Sequence, residues 1–145
     1  MKSNKQTETA YIYLRMGTRQ QFGSEKSIQS QKEELKNYCR CNDVRVVDVF
    51  IDCPASANNF NRGGLIRMLG RNVIRPVNYI VATSMDRISR NCSEYLILSR
   101  QLSKLDTQFK FLNRQDSGYI NEILKTLEIF EQHLNKKCLR EKGGR

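Results

Sequence analysis

The sequence predicts an α/β fold with a mostly parallel sheet of four to five strands, helices on both faces and a long C-terminal helix. Three features indicate this fold. Segments rich in β-forming residues alternate with segments of helical periodicity, which is the order of βαβ units. Charged residues directly follow predicted strands, at the ends where ligands of such folds bind. Near the end of the chain, apolar residues recur at steps of three and four over several turns.

The first half of the chain contains two predicted strands and one helix. Residues 10–16, AYIYLRM, are rich in β-formers and place Arg15 near the carboxyl end of the first strand. Ser27 is the predicted N-cap of a helix with one apolar face. Residues 44–51 form the second strand, and residues 52–64, which contain Pro, Asn, Gly and Ser, are predicted to be a long loop.

The second half continues the alternation of strand and helix. Its predicted elements, in order, are a short helix at 65–73, a third strand at 77–83, a helix at 93–105 and a fourth strand at 108–113. The segment SMDRISRN leaves the carboxyl end of the third strand. We expect its charged residues to lie at the same sheet edge as Arg15, because the carboxyl ends of parallel strands meet there.

The terminal segment predicts one long amphipathic helix. A single apolar stripe runs through Ile120, Ile123, Leu124, Leu127, Phe130, Leu134 and Cys138. A helix of about 24 residues would be ~36 Å long, which exceeds what a small domain covers on one side. We therefore expect the helix to dock partly on its own core or to pair with a second copy.

Composition favours an intracellular protein with a polyanionic partner. Among 145 residues, 25 Lys and Arg stand against 15 Asp and Glu, which leaves a net charge of +10. Such an excess suits binding to nucleic acid, because basic side chains displace the counterions condensed on it. The alternative is that the charge serves solubility alone. The polar N-terminus and the lack of an apolar run of ~20 residues predict neither a secretion signal nor a membrane span. Five scattered cysteines predict no disulfide scaffold.

Arginines dominate the charge between the second and third predicted strands and just beyond. Residues 62–90 contain six arginines, no lysine and one acid, Asp86. The planar guanidinium binds phosphate oxygens bidentately, so this bias suits phosphoryl chemistry. Arg87 and Arg90 are three apart and would share a face of a first helical turn. Arg15 and Arg62 leave other strand or loop ends and could converge on the same point; the alternative for each arginine is a solvated basic surface.

Other chemistries fit the sequence less well. A metal-dependent nuclease needs clustered carboxylates, and the only candidates near strand ends are Asp48, Asp52 and Asp86, among many arginines. No glycine-rich phosphate loop with lysine is present. The single histidine, His133, lies on the predicted terminal helix, which makes a Ser/His/Asp arrangement implausible. We therefore expect no metal site.

The motifs follow one another in an order that resembles one protein family. They are YLRMGT with a later glutamine, SIQSQ, an aspartate and a serine in the next loop, NRGGL, DRISR and a long terminal helix. Together they resemble the catalytic domain of serine recombinases, the resolvase and invertase group, over residues 10–142. The resemblance implies a site-specific DNA recombinase that cleaves and rejoins strands through a phosphoserine intermediate, without metal, ATP or another cofactor.

The resemblance assigns roles to residues by position. The family's arginines that stabilise the pentacoordinate phosphate correspond to Arg15, Arg62, Arg87 and Arg90. An acid that assists proton transfer corresponds to Asp86. Further positions at or beside the family's site correspond to Gln21, Gln31, Asp52 and Ser56, and an acid of the long helix corresponds to Glu131.

The nucleophile position is the exception. The family keeps its serine two residues after the arginine that Arg15 resembles, and this chain has Gly17 there. Glycine has no hydroxyl to attack phosphorus, and the side chain of Thr18 would point to the opposite face of an extended segment. The chain as written is therefore predicted to be catalytically dead by the family mechanism. Either the glycine was engineered into an active enzyme, or it is natural and marks a degenerate copy.

The resemblance also implies how the chain is organised. We expect a flexible tail at 1–9, a catalytic domain at 10–114 and a dimerisation and DNA-crossing helix at 115–145, without the family's C-terminal DNA-binding domain. The terminal helix would contact DNA through Lys136, Lys137 and Arg140. The expected partners are double-stranded DNA and, through the 118–142 helix, further copies in a dimer or tetramer. Neither a small-molecule substrate nor a membrane is expected, and a cytoplasmic protein of bacterial, phage or mobile-element origin is implied.

Two other functions stay open at this point. The first is a non-catalytic DNA-binding or dimerisation module of the same fold, a natural pseudoenzyme. It would bind DNA with a salt dependence set by the phosphates it neutralises. The second is a small α/β protein that binds a nucleotide or RNA, and tight binding of a mononucleotide in preference to duplex DNA would favour it.

Overall fold

Four parallel strands form one sheet in the order β2-β1-β3-β4. The strands are β1 (Glu8–Arg15), β2 (Val44–Asp52), β3 (Tyr79–Ala82) and β4 (Gln108–Phe111). The computed structural model describes residues 5–16, 25–53 and 62–142. The chain divides into unit 1, residues 1–113, and unit 2, residues 114–145. The sheet belongs to unit 1, and its parallel arrangement confirms the predicted α/β fold.

One face of the sheet is covered by α1 (Glu25–Cys41). Side chains alternate along a strand, so Ala10, Ile12 and Leu14 of β1 point to the same side. These three residues form a buried cluster with Leu35 and Cys39 of α1. Burial of this apolar face holds the helix on the sheet.

The opposite face is covered by α2 (Gly63–Ile74) and α4 (Cys92–Ser103). Tyr11 and Tyr13 of β1 point to this side, and the Tyr11 hydroxyl donates a 2.9 Å hydrogen bond to the carbonyl of Arg75, which ends α2. Tyr95 of α4 packs on Phe109 of β4, with ring centroids 5.3 Å apart. Helices on both faces are thus confirmed.

An irregularity in the β1–β2 pairing exchanges the two faces of β2 in its second half. The register shifts between Ala10 and Tyr11, so Ala10 pairs with Val46 whereas Tyr11 pairs with Asp48. A shift of one residue exchanges the two faces of a strand. As a result, the last residue of β2, Asp52, lies on the α2 face of the sheet, where it pairs with Arg15 in register.

Several element boundaries differ from the predictions. β1 begins at Glu8, so residues 8 and 9 belong to the strand and not to a tail. The first helix begins at Glu25, two residues before the predicted cap Ser27. Gly63 and Gly64, which the sequence predicts to be loop, form the first turn of α2, because Asp52 supplies the cap that the local sequence lacks.

The helix that follows β3 is also shorter than predicted. The helix α3 (Met85–Ile88) has four residues and is followed by Ser89 in an extended conformation. Arg90 lies beyond this helix, so the prediction that Arg87 and Arg90 share a helical turn is wrong. The residue after Arg90, Asn91, is the N-cap of α4: its side chain accepts hydrogen bonds from the backbone N–H groups of Ser93 and Glu94, and the helix begins at Cys92.

Unit 2 consists of one helix, α5 (Arg114–Lys142). It is longer than the predicted helix at 118–142. Leu127, Phe130 and Leu134 of the predicted apolar stripe are between 42% and 61% exposed. In the part of the chain that the structure describes, no helix has the length and apolar character needed to cross a membrane.

Candidate phosphate site at the carboxyl edge of the sheet

A buried carboxylate organises the carboxyl edge. Asp52 is 7% exposed and lies at the end of β2. It accepts hydrogen bonds from the backbone N–H groups of Gly64 and Leu65 at 2.7 and 2.9 Å and from the Tyr13 hydroxyl at 2.7 Å. The carboxylate satisfies two donors in the first turn of α2 and complements the positive end of the helix dipole. Asp52 is therefore a structural anchor for α2.

The α2 terminus approaches β2 so closely that it requires a glycine. A Cβ on Gly64 would lie 2.8 Å from Oδ1 of Asp52 and 2.9 Å from the backbone carbonyl oxygen of Ile51. The second contact is with backbone, which cannot rotate away. Gly64 thus permits the short hydrogen bonds between the helix and the carboxylate.

Arg62 joins this anchor to the loop that follows β3. Its guanidinium donates to the carbonyl oxygens of Arg87, at 2.5 Å, and of Ile88, the last two residues of α3. It also approaches the Tyr13 hydroxyl at 3.4 Å. A cation on the unsatisfied carbonyls of a helix end is stabilising. Arg62 therefore holds α3 in place, although its buried Nε has no hydrogen-bond partner among the described residues.

The contact between Arg62 and Tyr13 completes a chain of hydrogen bonds. The Tyr13 hydroxyl donates to Asp52 and accepts from Arg62, while the tyrosine itself is fully buried. Burial raises the pKa of Tyr13 to about 12; the bond to Asp52 acts in the same direction and Arg62 opposes it. At neutral pH the phenol is protonated and links an anion to a cation.

Arg87 connects the loop to β1. Its Nη1 donates a 3.1 Å hydrogen bond to the backbone carbonyl oxygen of Arg15, the last residue of β1. Burial, together with the guanidiniums of Arg62, Arg90 and Arg87, holds the pKa of Arg15 below its ordinary value. Three positive side chains at this edge therefore lie within electrostatic reach of Arg15.

These charges are not balanced locally. Within the described residues of unit 1, no aspartate or glutamate forms an ion pair with Arg15, Arg62, Arg87 or Arg90. The exposed Asp86 accepts a hydrogen bond from the Ser84 hydroxyl. A cluster of guanidiniums without paired acids at the carboxyl edge of a parallel sheet is suited to bind a phosphate group.

The three acids that a metal-dependent nuclease would need each have a different partner. Asp48 pairs with Arg71 across 2.5 Å, Asp52 caps α2 and Asp86 accepts from Ser84. No group of three or more His, Cys, Asp or Glu that could hold a metal occurs in residues 5–16, 25–53 and 62–142.

The remaining predicted site residues fall elsewhere. Gly17, Gln21 and Ser56 lie outside the described residues. Gln31 is half-buried on α1. The other four lie on α5 in unit 2: Glu131, Lys136, Lys137 and Arg140.

Sequence reasoning missed Tyr13, Gly64 and Ser84. Tyr13 carried one usable signal, since a tyrosine in a buried strand needs a partner for its hydroxyl. The close approach of Gly64 to β2 and the bond between Ser84 and Asp86 had no such signal in the sequence.

Solved structures share this fold. The N-terminal catalytic domain of TP901-1 integrase matches with a TM-score of 0.65 at 22% identity, covering 88% of this chain and 98% of that one. A resolvase family site-specific recombinase from Streptococcus pneumoniae matches with a TM-score of 0.65 at 18% identity, covering 92% and 95%. The C-terminal catalytic domain of ISC1926 TnpA, an IS607-like serine recombinase, matches with a TM-score of 0.62 at 18% identity, covering 94% and 99%.

Family membership rests on the sequence itself. No curated protein matches the chain. The family model for the resolvase N-terminal domain matches residues 10–142, nearly the whole chain. This match agrees with the resemblance that the motifs indicated. The chain belongs to the resolvase N-terminal domain family.

Proposed function

We propose that this chain is the catalytic domain of a site-specific DNA recombinase that binds DNA phosphate but cannot cleave it as written. The observation that carries the proposal is the cluster of Arg15, Arg62, Arg87 and Arg90 at the carboxyl edge, with no acid of unit 1 paired to them among the described residues. Phosphoryl transfer depends mainly on positioning and on stabilising charge at the equatorial oxygens. The arginines of this edge are suited to both tasks.

The lack of cleavage follows from one position. The recombinases that this chain resembles keep a serine two residues after the arginine matched by Arg15, where this chain has Gly17. Without a hydroxyl there, no phosphoserine forms, however well the arginines hold the phosphate. We propose that Asp86, exposed beside the arginines, would assist proton transfer in an active relative.

The test restores the nucleophile. The Gly17→Ser variant is incubated with duplex DNA that flanks the gene encoding this chain. A covalent protein–DNA adduct is sought on denaturing gels and located by mass spectrometry. We expect an adduct at residue 17 for Gly17→Ser and none for the unaltered chain or for Gly17→Ala. An adduct formed by the unaltered chain, or by Gly17→Ala, would contradict the proposed loss of activity. No adduct from Gly17→Ser would contradict the recombinase assignment.

A natural pseudoenzyme that only binds DNA is the second candidate, and Gly17 is the observation that favours it. This candidate predicts salt-dependent binding of duplex DNA by the unaltered chain. Arg87→Gln should weaken binding, whereas Arg40→Gln, at the far end of α1, should change it less than twofold or so. Equal binding by both variants would show that Arg87 is not at a phosphate site.

We also propose the roles implied for the two parts of the chain. Residues 10–114 would form the catalytic domain, and residues 115–145 would pair with further copies and contact DNA through Lys136, Lys137 and Arg140. Leu127, Phe130 and Leu134 recur along one stripe of α5 and are exposed, which supports pairing, because a contiguous exposed apolar patch is typical of an interaction surface. Sedimentation of the unaltered chain and of Phe130→Glu tests this: a variant that assembles as the unaltered chain does would contradict the proposal.

A further inference from the structure

The carboxyl edge holds four arginines, and among the described residues of unit 1 no acid forms an ion pair with them. A phosphodiester carries one negative charge and two non-bridging oxygens. A terminal phosphate monoester has three terminal oxygens and a charge of about −1.5 to −2 at pH 7. The number of guanidiniums that can reach the ligand therefore bears on which phosphate is preferred.

Arg62 is the least able of the four arginines to bind a ligand directly. Its Nη atoms donate to the carbonyls of Arg87 and Ile88 and to the hydroxyl of Tyr13, and its Nε is buried. It contributes charge from behind the edge and holds α3. It is a positioning residue for Arg87.

The other three arginines keep donors for a ligand. Arg87 uses Nη1 for the carbonyl of Arg15 and leaves its other nitrogens without a partner among the described residues. The side chains of Arg15 and Arg90 donate no hydrogen bond within the described residues of unit 1. Arg15 and Arg87 are half-buried and Arg90 is exposed, so three guanidiniums keep donors for a ligand, and a monoester has three terminal oxygens.

The nearby acid does not offset this charge. The carboxylate oxygens of Asp52 accept hydrogen bonds from Tyr13, Gly64 and Leu65, and among the described residues of unit 1 Asp52 forms no ion pair with these arginines. The absence of a hydroxyl at Gly17 also means that a bound phosphate is not transferred to the protein at that position.

We infer that the carboxyl-edge arginines bind a phosphate monoester at the end of a broken DNA strand more tightly than the phosphodiester of an intact one. This inference rests on the proposed function, since it takes the same edge to be the phosphate site. It adds the ligand class: the dianionic terminus of cut DNA, held by Arg15, Arg87 and Arg90.

The experiment compares DNA ends that differ only in charge. Fluorescence anisotropy measures binding of the full chain to one labelled duplex whose recessed end carries a phosphate, a methyl phosphate or a hydroxyl, on either the 5′ or the 3′ side. The methyl phosphate keeps the size of the group but is a monoanion. We expect the phosphate end to bind about tenfold tighter than the methyl phosphate end, since the second charge interacts with several guanidiniums at an effective dielectric constant of ~20.

Two variants locate the preference. Arg15→Gln should reduce the ratio of the two affinities to about one, because it removes a free guanidinium and keeps the backbone carbonyl that Arg87 binds. Arg40→Gln, at the opposite edge beside Glu8 and Val44, should leave the ratio unchanged. If Arg15→Gln still prefers the phosphate end, the preference arises elsewhere in the chain and the inference is overturned.

The outcomes separate the inference from the proposed function. Equal affinity for phosphate and methyl phosphate ends, with both weakened by Arg15→Gln, overturns the inference but leaves the edge as a phosphate site. Binding of every duplex that is insensitive to Arg15→Gln contradicts both. When the preference is present, comparison of duplexes phosphorylated at the 5′ end with those phosphorylated at the 3′ end shows which end is bound.

Discussion

The two edges of the sheet in unit 1 both carry several cations, but they differ in their acids. At the amino edge, Lys5, Arg40 and Arg45 line a cavity of about 430 Å³ together with Glu8 and Asp43. Charges of both signs are therefore interspersed there, as is common on a solvated surface. A count of cations alone would not separate this edge from a binding site.

At the carboxyl edge the acid and the cations are kept apart. Asp52 is occupied by the first turn of α2 and by Tyr13, and the tyrosine separates it from the guanidinium of Arg62. Arg15 and Arg87 are half-buried, and neither forms an ion pair with an acid among the described residues of unit 1. Unbalanced charge, more than total charge, therefore marks the candidate site.

The largest expected effect tests whether Asp52 is the anchor of its edge. Asp52→Ala leaves three buried donors without their acceptor and should lower the free energy of unfolding by about 3 kcal/mol or more. Urea denaturation followed by circular dichroism measures the loss. Glu8→Ala is the matched change at the amino edge, where the carboxylate accepts one 3.0 Å bond from Tyr79, and should cost about 1 kcal/mol or less. Equal losses would refute the distinction between the edges.

The next effect concerns the Tyr13 hydroxyl, which lies between the carboxylate of Asp52 and the guanidinium of Arg62. Tyr13→Phe removes a bond to a buried carboxylate and should cost about 2 kcal/mol in urea denaturation. Tyr11→Phe removes a neutral bond to the carbonyl of Arg75 and should cost about 1 kcal/mol. A larger loss for Tyr11→Phe would mean that the Asp52 network is not the stronger of the two.

The same hydroxyl predicts a pH dependence. The pKa of Tyr13 is raised to about 12 in the folded chain, whereas an unfolded tyrosine titrates near 10. The folded state therefore holds this proton more tightly, so the stabilisation is complete below pH ~10 and is lost as the pH rises toward 12. Urea midpoints measured from pH 9 to 12 should fall less steeply for Tyr13→Phe than for the unaltered chain. An unchanged slope would contradict the assignment.

The smallest effect tests the close approach of α2 to β2. Gly64→Ala places a methyl group 2.8 Å from Asp52 and 2.9 Å from the carbonyl of Ile51, and should cost about 1–2 kcal/mol. Gly70→Ala lies on the same helix with nothing within 4 Å of the new carbon, and should stabilise by about 0.5–1 kcal/mol. Thermal denaturation of the two variants shows whether each substitution lowers or raises the stability of the fold. A neutral Gly64→Ala would show that the helix can shift without loss.

Much of the fold could be predicted because it is encoded locally. Alternating β-rich and helical segments identified all four strands of the described sheet, and the stripe of α5 identified the terminal helix. The placement of Arg15 and Arg87 at one edge followed from a general rule, that strand ends in a parallel sheet meet on one side. The family resemblance likewise rested on short motifs that local sequence contains.

The sequence by itself determined which groups are available: arginines without lysine between residues 62 and 90, and a glycine where the resemblance places a serine. Only the tertiary structure decided how they are used. Arg62 binds the end of α3, Tyr13 bridges Arg62 to Asp52, and Asp52 begins α2. These contacts join residues 12 to 49 positions apart and depend on strand order and on the register shift in β2. Periodicity and propensity describe neighbours along the chain, so they carry no information on which distant donor meets which acceptor.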